Sequence, residues 1–140
     1  MRHKILIADG DRQILTILSE RLNTKNVQYE IFTAKNGLEA ILALQKHRFS
    51  VVITEIKMPK VNGMVVLGYM AKNFPELPCI IMTDNSALLA KKRLIKEPLH
   101  YIDKPFKIQE LAELITKILE EKKNLGAYFM AYPFPVFLNY

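Results

Sequence analysis

The amino-acid sequence predicts a doubly wound α/β sandwich, in which a parallel sheet of five strands is covered by helices on both faces. Five short apolar runs alternate with five helix-like stretches, and the runs are mostly continuous, as is typical of strands buried on both sides. Repeated strand-helix-strand units of this kind connect parallel strands through right-handed crossovers. The predicted strands are residues 4–8, 29–33, 51–54, 79–82 and 99–102.

Apolar residues at helical spacing mark the stretches between the strands. The fourth stretch, residues 86–95, is the least periodic of the five. The markers of the other four helices are Ile14, Leu18 and Leu22 for the first, Leu38, Ile41 and Leu42 for the second, Val66, Met70 and Phe74 for the third, and Ile108, Leu111, Ile115, Ile118 and Leu119 for the fifth.

Size and composition predict one globular domain. The chain has 140 residues, of which 50% are hydrophobic and 24% charged, which is enough for a substantial core. Its one cysteine, Cys79, lies in an apolar run, so no internal disulfide is possible and a reducing compartment is expected. The apolar run at residues 4–8 is too short for a signal peptide or a membrane span. We therefore expect a cytoplasmic protein without a membrane span.

The net charge of +6 raises the question of a nucleic-acid partner. A basic cluster of Lys91, Lys92, Arg93 and Lys96 could attract nucleic acid or an acidic protein. No aromatic residues interleave with these charges, and the sequence contains no zinc-finger or RNA-recognition signature. A solvated helix face is the favoured interpretation, and we do not expect a nucleic-acid partner.

Polar and charged residues stand where four of the predicted strands end. Taken singly, Asp11 is explained as a helix N-cap and Thr83 as a β-branched strand residue. Together the strand ends meet at one edge of a parallel sheet, where ligands bind, and they form a pocket for a divalent cation and an anion. The residues are Asp9-Gly10-Asp11 after the first strand, Thr54-Glu55 after the third, Thr83-Asp84 after the fourth and Asp103-Lys104-Pro105 after the fifth.

Four segments resemble a known family. They are ILIADGD at 5–11, VVITEIKMPKVNG at 51–63, PCIIMT at 78–83 and YIDKPF at 101–106. In their order and spacing, residues 3–122 resemble a response-regulator receiver domain. The resemblance implies a flavodoxin-like (βα)5 fold with strand order 2-1-3-4-5. It also implies a non-enzymatic module of two-component or phosphorelay signal transduction.

The resemblance implies a role for each matching residue. Receivers accept a phosphoryl group from a histidine kinase onto an acid at the end of the third strand, a position held here by Glu55. Lys104 resembles the lysine that pairs with this acceptor and later with the phosphate, and Pro105 follows it as in the family. Thr83 resembles the switch hydroxyl that hydrogen-bonds a phosphate oxygen. Tyr101 resembles the aromatic residue whose rotation reports the signalling state.

The resemblance further implies a Mg²⁺ site, but two of its parts are altered. The metal ligands correspond to Asp9, Glu55 and the backbone carbonyl of Lys57, with Asp11 in the same acidic pocket. Gly10 replaces the family's second acid, and Glu55 is longer than the usual Asp by one carbon-carbon bond of about 1.5 Å. Mg²⁺ demands near-octahedral oxygen geometry, and misplacement by about 1 Å can cost on the order of 10²-fold in rate. We expect weak or absent Mg²⁺ binding and no efficient phosphorylation.

Several interpretations of this atypical receiver stay open. Glu55 could act as a partial mimic of a phosphoryl group and hold an active state, or the receiver could be held in one inactive arrangement. Either form would bind a downstream protein or a second copy through the fourth helix, fifth strand and fifth helix, without a sensor histidine kinase. The alternative is a working phosphoacceptor at Glu55. A flavin or nucleotide binder is disfavoured, because the loop at residues 9–12 lacks a Gly/Ser/Thr-rich phosphate cradle.

An aromatic tail follows the receiver, which we assign to residues 1–123. Residues 124–140 hold six of the 13 aromatic residues. Gly126 predicts the end of the fifth helix, and Pro133 and Pro135 forbid a regular continuation. The tail either folds back over an apolar groove of its own domain or docks on a partner or a second copy.

Overall fold

Five parallel strands form one sheet, in which the spatial order of the strands, numbered along the chain, is 2-1-3-4-5. The computed structural model describes residues 2–84 and 99–131, with only the backbone for 126–131. The strands are β1 (Lys4–Ala8), β2 (Glu30–Ala34), β3 (Val51–Glu55), β4 (Cys79–Thr83) and β5 (Leu99–Asp103). The helices are α1 (Arg12–Arg21), α2 (Gly37–Lys46), α3 (Gly63–Asn73) and a C-terminal helix (Ile108–Ala131).

The predicted fold class and strand order are confirmed. Each observed strand overlaps the predicted one, with its boundaries shifted by at most one residue. The predicted fourth helix at residues 86–95 and the basic cluster within it lie outside the described residues. In the part of the chain that is described, no helix is long and apolar enough to cross a membrane.

Two hydrophobic cores lie on opposite faces of the sheet, because successive strand side chains point to opposite sides. Ile5, Ile7 and Ile53 pack on one face against α1 and the C-terminal helix. Leu6 and Val52 pack on the other face against α2 and α3. The central strands are therefore covered on both sides, which explains why their sequences are continuously apolar.

The carboxyl ends of the strands are level with one another, and this alignment gathers the polar residues that follow them. The strand order reverses at β1, which pairs with both β2 and β3, and such a reversal is where ligand sites form in open parallel sheets. The pairs at this edge are Ala8 with Thr54, Glu55 with Met82, and Thr83 with Asp103.

Short polar side chains begin three of the helices. The side-chain oxygens of Asp11, Asn36 and Asn62 accept hydrogen bonds from backbone N–H groups in the first turns of α1, α2 and α3. These N-caps satisfy N–H groups that have no partner within the helix. The Asn-Gly pair at residues 62–63, which looks like a turn in the sequence, is the N-cap and first residue of α3.

Two glycines fix the loop that follows β3. The N–H of Gly63 donates to the Ile56 oxygen at 2.7 Å, and that of Gly37 donates to the Val61 oxygen at 2.9 Å. A Cβ atom at Gly63 would overlap the backbone oxygen of Glu55, and one at Gly37 would overlap that of Val61. Only residues without a side chain allow these approaches, so the glycines hold the end of β3 in place.

Two expectations drawn from the sequence are wrong in detail. Leu38 and Leu42, which mark the second helix, are 46% and 45% exposed, while Ala40 and Leu44 face the core. The helix was therefore predicted correctly, and of its three apolar markers only Ile41 packs against the core. Gly126 does not end the last helix, which continues to Ala131. A glycine inside a helix costs only about 1 kcal/mol, and good helix formers surround this one.

Candidate functional site

A lysine bridges two carboxylates at the carboxyl edge of the sheet. The Lys104 Nζ atom lies 3.0 Å from Asp9 Oδ2 and 3.1 Å from Glu55 Oε1. Asp9 directly follows β1, Glu55 ends β3 and Lys104 directly follows β5, so three strands supply the cluster. The Asp9 side chain is completely buried, whereas those of Lys104 and Glu55 are 21% and 24% exposed. Two negative groups and one positive group leave the site with a net charge near −1.

The Asp9 carboxylate is fully engaged within the protein. Its Oδ1 atom accepts the Asp11 backbone N–H at 2.8 Å, and its Oδ2 atom accepts from Lys104. Its own backbone N–H donates to the Ala34 oxygen at 3.0 Å. Asp9 therefore anchors the cluster, and the energetic penalty of burying its charge is offset by these partners.

Asp11 serves the first helix. Its Oδ1 atom accepts the backbone N–H of Gln13 at 2.9 Å, which is the N-cap geometry that the sequence also allowed. The side chain is exposed, and no ion pair joins it to Lys104.

The loop after β5 aims Lys104 at the two acids. The Lys104 backbone N–H donates to the Thr83 oxygen at 2.7 Å, which ties the end of β5 to the end of β4. The peptide bond between Lys104 and Pro105 is cis. Thr83 is buried at the end of β4, while Tyr101 on β5 is 43% exposed. The described residues thus place the predicted switch residues on the two strands beside the cluster.

Burial and the paired charges shift the pKa values of the site. Burial raises the pKa of Glu55 above its ordinary value, the neighbouring Asp9 carboxyl raises it further, and Lys104 only partly opposes them. Burial by itself would lower the pKa of Lys104, but the hydrogen bonds to Asp9 and Glu55 outweigh it and the net shift is upward. Lys104 therefore stays charged at neutral pH and balances one of the two negative charges.

Gly10 lies against the loop after β3. A Cβ atom at this position would be 3.1 Å from Pro59 Cδ, which is closer than normal packing allows. A longer acidic residue here would require Pro59 to move by a few tenths of an ångström. This contact was not predicted from the sequence, because it depends on the path of a loop about fifty residues away along the chain.

The donor set lacks one carboxylate of the Mg²⁺ site that the family resemblance implies. Mg²⁺ takes six oxygen ligands in near-octahedral geometry. Both Asp9 oxygens are already bonded, Gly10 supplies no ligand, and the Lys104 ammonium group lies between the two carboxylates. Among residues 2–84 and 99–131, no group of three or more His, Cys, Asp or Glu side chains is arranged to hold a metal ion. A contribution from the Lys57 carbonyl stays a prediction.

An apolar cavity lies next to the cluster and was not predicted from the sequence. It has a volume of about 390 Å³ and runs between α1 and the start of the C-terminal helix. Ile17, 42% exposed, contributes to it. The lining residues are Ile14, Ile17, Leu18, Lys104, Pro105, Phe106 and Ile108. The ion cluster therefore borders a hydrophobic surface.

Comparison with known proteins identifies the family. The family model described as the response regulator receiver domain matches residues 5–116. The sporulation initiation phosphotransferase F of Bacillus subtilis (strain 168) is 32% identical over 125 residues, covering 89% of this chain and 99% of that protein. The heme response regulator HssR of Staphylococcus aureus (strain MRSA252) is 30% identical over 81% of this chain. This chain spans 50% of the length of HssR.

Solved structures agree with the sequence relatives. A response regulator receiver domain protein from Clostridium thermocellum has a TM-score of 0.70 at 30% identity, covering 88% of this chain and 98% of that one. The chemotaxis response regulator CheY4 of Vibrio cholerae has a TM-score of 0.72 at 24% identity, which shows the same fold, over 84% of this chain and 99% of that one. Receiver domains of this kind are signalling modules of two-component systems and not enzymes. The chain belongs to the response regulator receiver domain family.

Proposed function

We propose that this receiver signals through protein-protein interaction without being phosphorylated. The observation that supports the proposal is the composition of the ion cluster, in which a glutamate, Glu55, holds the acceptor position 3.1 Å from Lys104 and Gly10 stands where the family has a second acid. The carboxylate at the acceptor position is thus already paired within the protein. We infer that the function depends on the conformation that the ion pair between Glu55 and Lys104 stabilises.

The chemistry of phosphoryl transfer is hindered at two points. The additional methylene of Glu55 displaces its carboxylate by about 1.5 Å relative to an aspartate, and a displacement of this size lowers a rate on the order of 10²-fold. The metal that would neutralise the incoming phosphate finds one ligand fewer because of Gly10. A glutamate can still form an acylphosphate, so geometry and the metal site are what oppose the reaction.

The paired Glu55 fixes the charge at the end of β3. One carboxylate carries a single negative charge, whereas a phosphoryl group carries nearly two and offers three acceptor oxygens. Glu55 therefore either acts as a partial mimic of the phosphoryl group or holds the receiver in a single inactive conformation. Both interpretations predict a receiver whose partner affinity does not respond to a phosphoryl donor.

The proposed partner surface includes β5 and the C-terminal helix. Tyr101, which is 43% exposed, lies on this side. The fourth helix predicted at residues 86–95 belongs to the same proposed surface but lies outside the described residues. A downstream protein or a second copy is the expected partner, nucleic acid is not, and a sensor histidine kinase is not required. The cytoplasmic location expected from the sequence stays a prediction.

Intact-mass measurement after incubation with acetyl phosphate and Mg²⁺ tests the proposal. We expect no mass gain for the wild type and a metal-dependent gain of one phosphoryl group for the Glu55→Asp, Gly10→Asp double variant. Because position 10 lies close to Pro59, the same pair combined with Pro59→Ala provides a second, less crowded version. Thermal unfolding of each variant shows whether it is folded.

A second candidate function is a phosphoacceptor that uses Glu55. The observation that favours it is the relative named as a phosphotransferase, which this chain matches over 99% of that protein's length. The partly exposed Glu55 carboxylate is also accessible to a donor. A metal-dependent gain of one phosphoryl group on wild-type Glu55, located by peptide mapping, would select this function over the first.

A further inference from the structure

A groove lies at the opposite edge of the sheet from the Lys104 cluster, where the strands begin. Its volume is about 680 Å³, and it is bordered by residues that precede β1, β2 and β3 and by the C-terminal helix. We call it the basal groove. Val27, which is 37% exposed, the buried Tyr29 and the partly buried Leu119 give it an apolar floor. Its polar rim includes His3, Gln28, Ser50, Lys122 and Lys123.

The C-terminal helix runs past this groove. Up to residue 125, where the described side chains of this helix end, Ile118 is the last that is buried in the core, and residues 120–125 are exposed. From Lys123, the last groove residue, the helix continues to Ala131. At 1.5 Å per residue these eight steps carry the chain about 12 Å beyond the groove. The next segment of the chain therefore starts about 12 Å beyond an apolar surface that the described residues leave open.

We propose that residues 132–140 turn back along the C-terminal helix and occupy the basal groove. The segment reads YPFPVFLNY and carries no charged side chain. Pro133 cannot continue the helix, and two prolines among four residues favour an extended conformation over a second helix. An apolar, extended segment of this kind matches a groove with an apolar floor and a polar rim.

The reach of the segment identifies the residue that fills the groove. Leu119 lies twelve residues before Ala131, which is about 18 Å of helix rise. An extended chain that returns at about 3.1 Å per residue covers this distance in six residues. Phe137 is then level with Leu119 and Val27 on the groove floor. Leu138 and Tyr140 follow along the same surface.

The short connection favours the chain's own segment over a second copy. A segment tethered this close to its site has an effective concentration on the order of millimolar or higher. A second copy would have to compete with it from solution. The rim also suits the segment, since the Lys122 and Lys123 stems can cover aromatic rings while their ammonium groups stay in water.

A disulfide between engineered cysteines tests the placement in the full chain. Val27→Cys with Phe137→Cys is expected to form an intramolecular disulfide in the monomer, detected by non-reducing electrophoresis and peptide mass mapping. Native Cys79 is buried and burial raises the pKa of its thiol to about 12, so it does not compete. The matched control is Val65→Cys with Phe137→Cys. Val65 is 52% exposed at the start of α3, at the carboxyl edge of the sheet and therefore at the opposite end from the basal groove.

Equal disulfide yields for the two pairs, or a disulfide only between chains, would overturn the proposal. The second result would assign the groove to another copy of the chain.

A thermodynamic cycle tests the same contact without cysteines. Val27→Asp and Phe137→Ser are each expected to lower the folding equilibrium constant about ten- to hundredfold, and the double variant should lose little more than the larger single effect. Val65→Asp serves as the control, and its effect should add to that of Phe137→Ser. Additive effects for the first pair, or an unchanged stability of Phe137→Ser, would contradict docking in the basal groove.

Discussion

Lys104→Met is the substitution whose effect follows most directly from the ion cluster. It removes the ammonium group that lies 3.0 Å from Asp9 and 3.1 Å from Glu55, and it keeps an unbranched chain of similar length. Removing one partner of a buried ion pair costs about 3–5 kcal/mol. Lys104 and Glu55 are 21% and 24% exposed, so water can solvate part of the remaining charge. We therefore expect a loss of about 2 kcal/mol in the free energy of unfolding at pH 7.

Thermal unfolding measures this loss. For a domain of this size, about 2 kcal/mol corresponds to a decrease of roughly 6–12 °C in Tm. The loss should shrink as pH falls below neutral. Without the lysine, the Asp9 and Glu55 carboxylates lie next to each other in the folded variant. Their repulsion raises the pKa of one carboxyl above its value in the unfolded chain. The stability of the variant then rises as pH falls through that folded pKa.

The control is Lys107→Met, which removes one exposed positive charge three residues away. Its Tm should change by no more than a degree or two. Adding Glu55→Gln to Lys104→Met should restore part of the lost stability, because one of the two facing charges is then gone. Equal Tm values for the two lysine variants, or a loss that does not depend on pH, would refute the assigned pairing.

Three further predictions concern the same edge of the sheet. Gly63→Ala should lose more than about 2 kcal/mol in the free energy of unfolding, because its Cβ would overlap the Glu55 backbone oxygen. The control is Gly68→Ala, whose Cβ meets nothing within 4 Å and which should gain about 0.5–1 kcal/mol. Urea unfolding measures both. Lys60 has a φ of 64°, so Lys60→Gly should raise stability by about 0.5–1 kcal/mol in the same assay; a decrease would contradict the strained backbone. Because the pKa of Lys104 is raised in the folded protein, its contribution to stability is fully present below its pKa in the unfolded chain and is lost as pH rises through its pKa in the folded protein. The Tm values of wild type and Lys104→Met should therefore converge at strongly alkaline pH. A Tm difference that stays constant with pH would contradict this.

The sequence predicts the fold because its signals are local and repeated. Short continuous apolar runs such as Val51–Ile53 are typical of buried strands between two layers, and the polar residues that follow parallel strands meet at one edge. Helix positions also follow from periodicity. The buried side of α2 does not, because its small residue Ala40 packs against the sheet while the larger Leu38 and Leu42 remain half exposed. Side-chain size alone predicts the opposite.

The candidate site is predicted in composition but not in arrangement. The strand ends give Asp9, Glu55 and Lys104, but the sequence does not specify that one ammonium group bridges both acids. That depends on the loop geometry after β5. The contact between Gly10 and Pro59 likewise depends on how the loop after β3 folds over the site. Such contacts join residues far apart in sequence, and local patterns carry no information about them.

Binding of beryllofluoride in the presence of Mg²⁺ tests most directly whether the acceptor site has lost its phosphoryl chemistry. Beryllofluoride imitates a phosphoryl group and needs the same carboxylate and metal, but requires no donor reaction. We predict that it leaves the Tm of the wild type unchanged and raises that of the Glu55→Asp, Gly10→Asp variant. A Mg²⁺-dependent increase in the Tm of the wild type would contradict a phosphorylation-independent receiver.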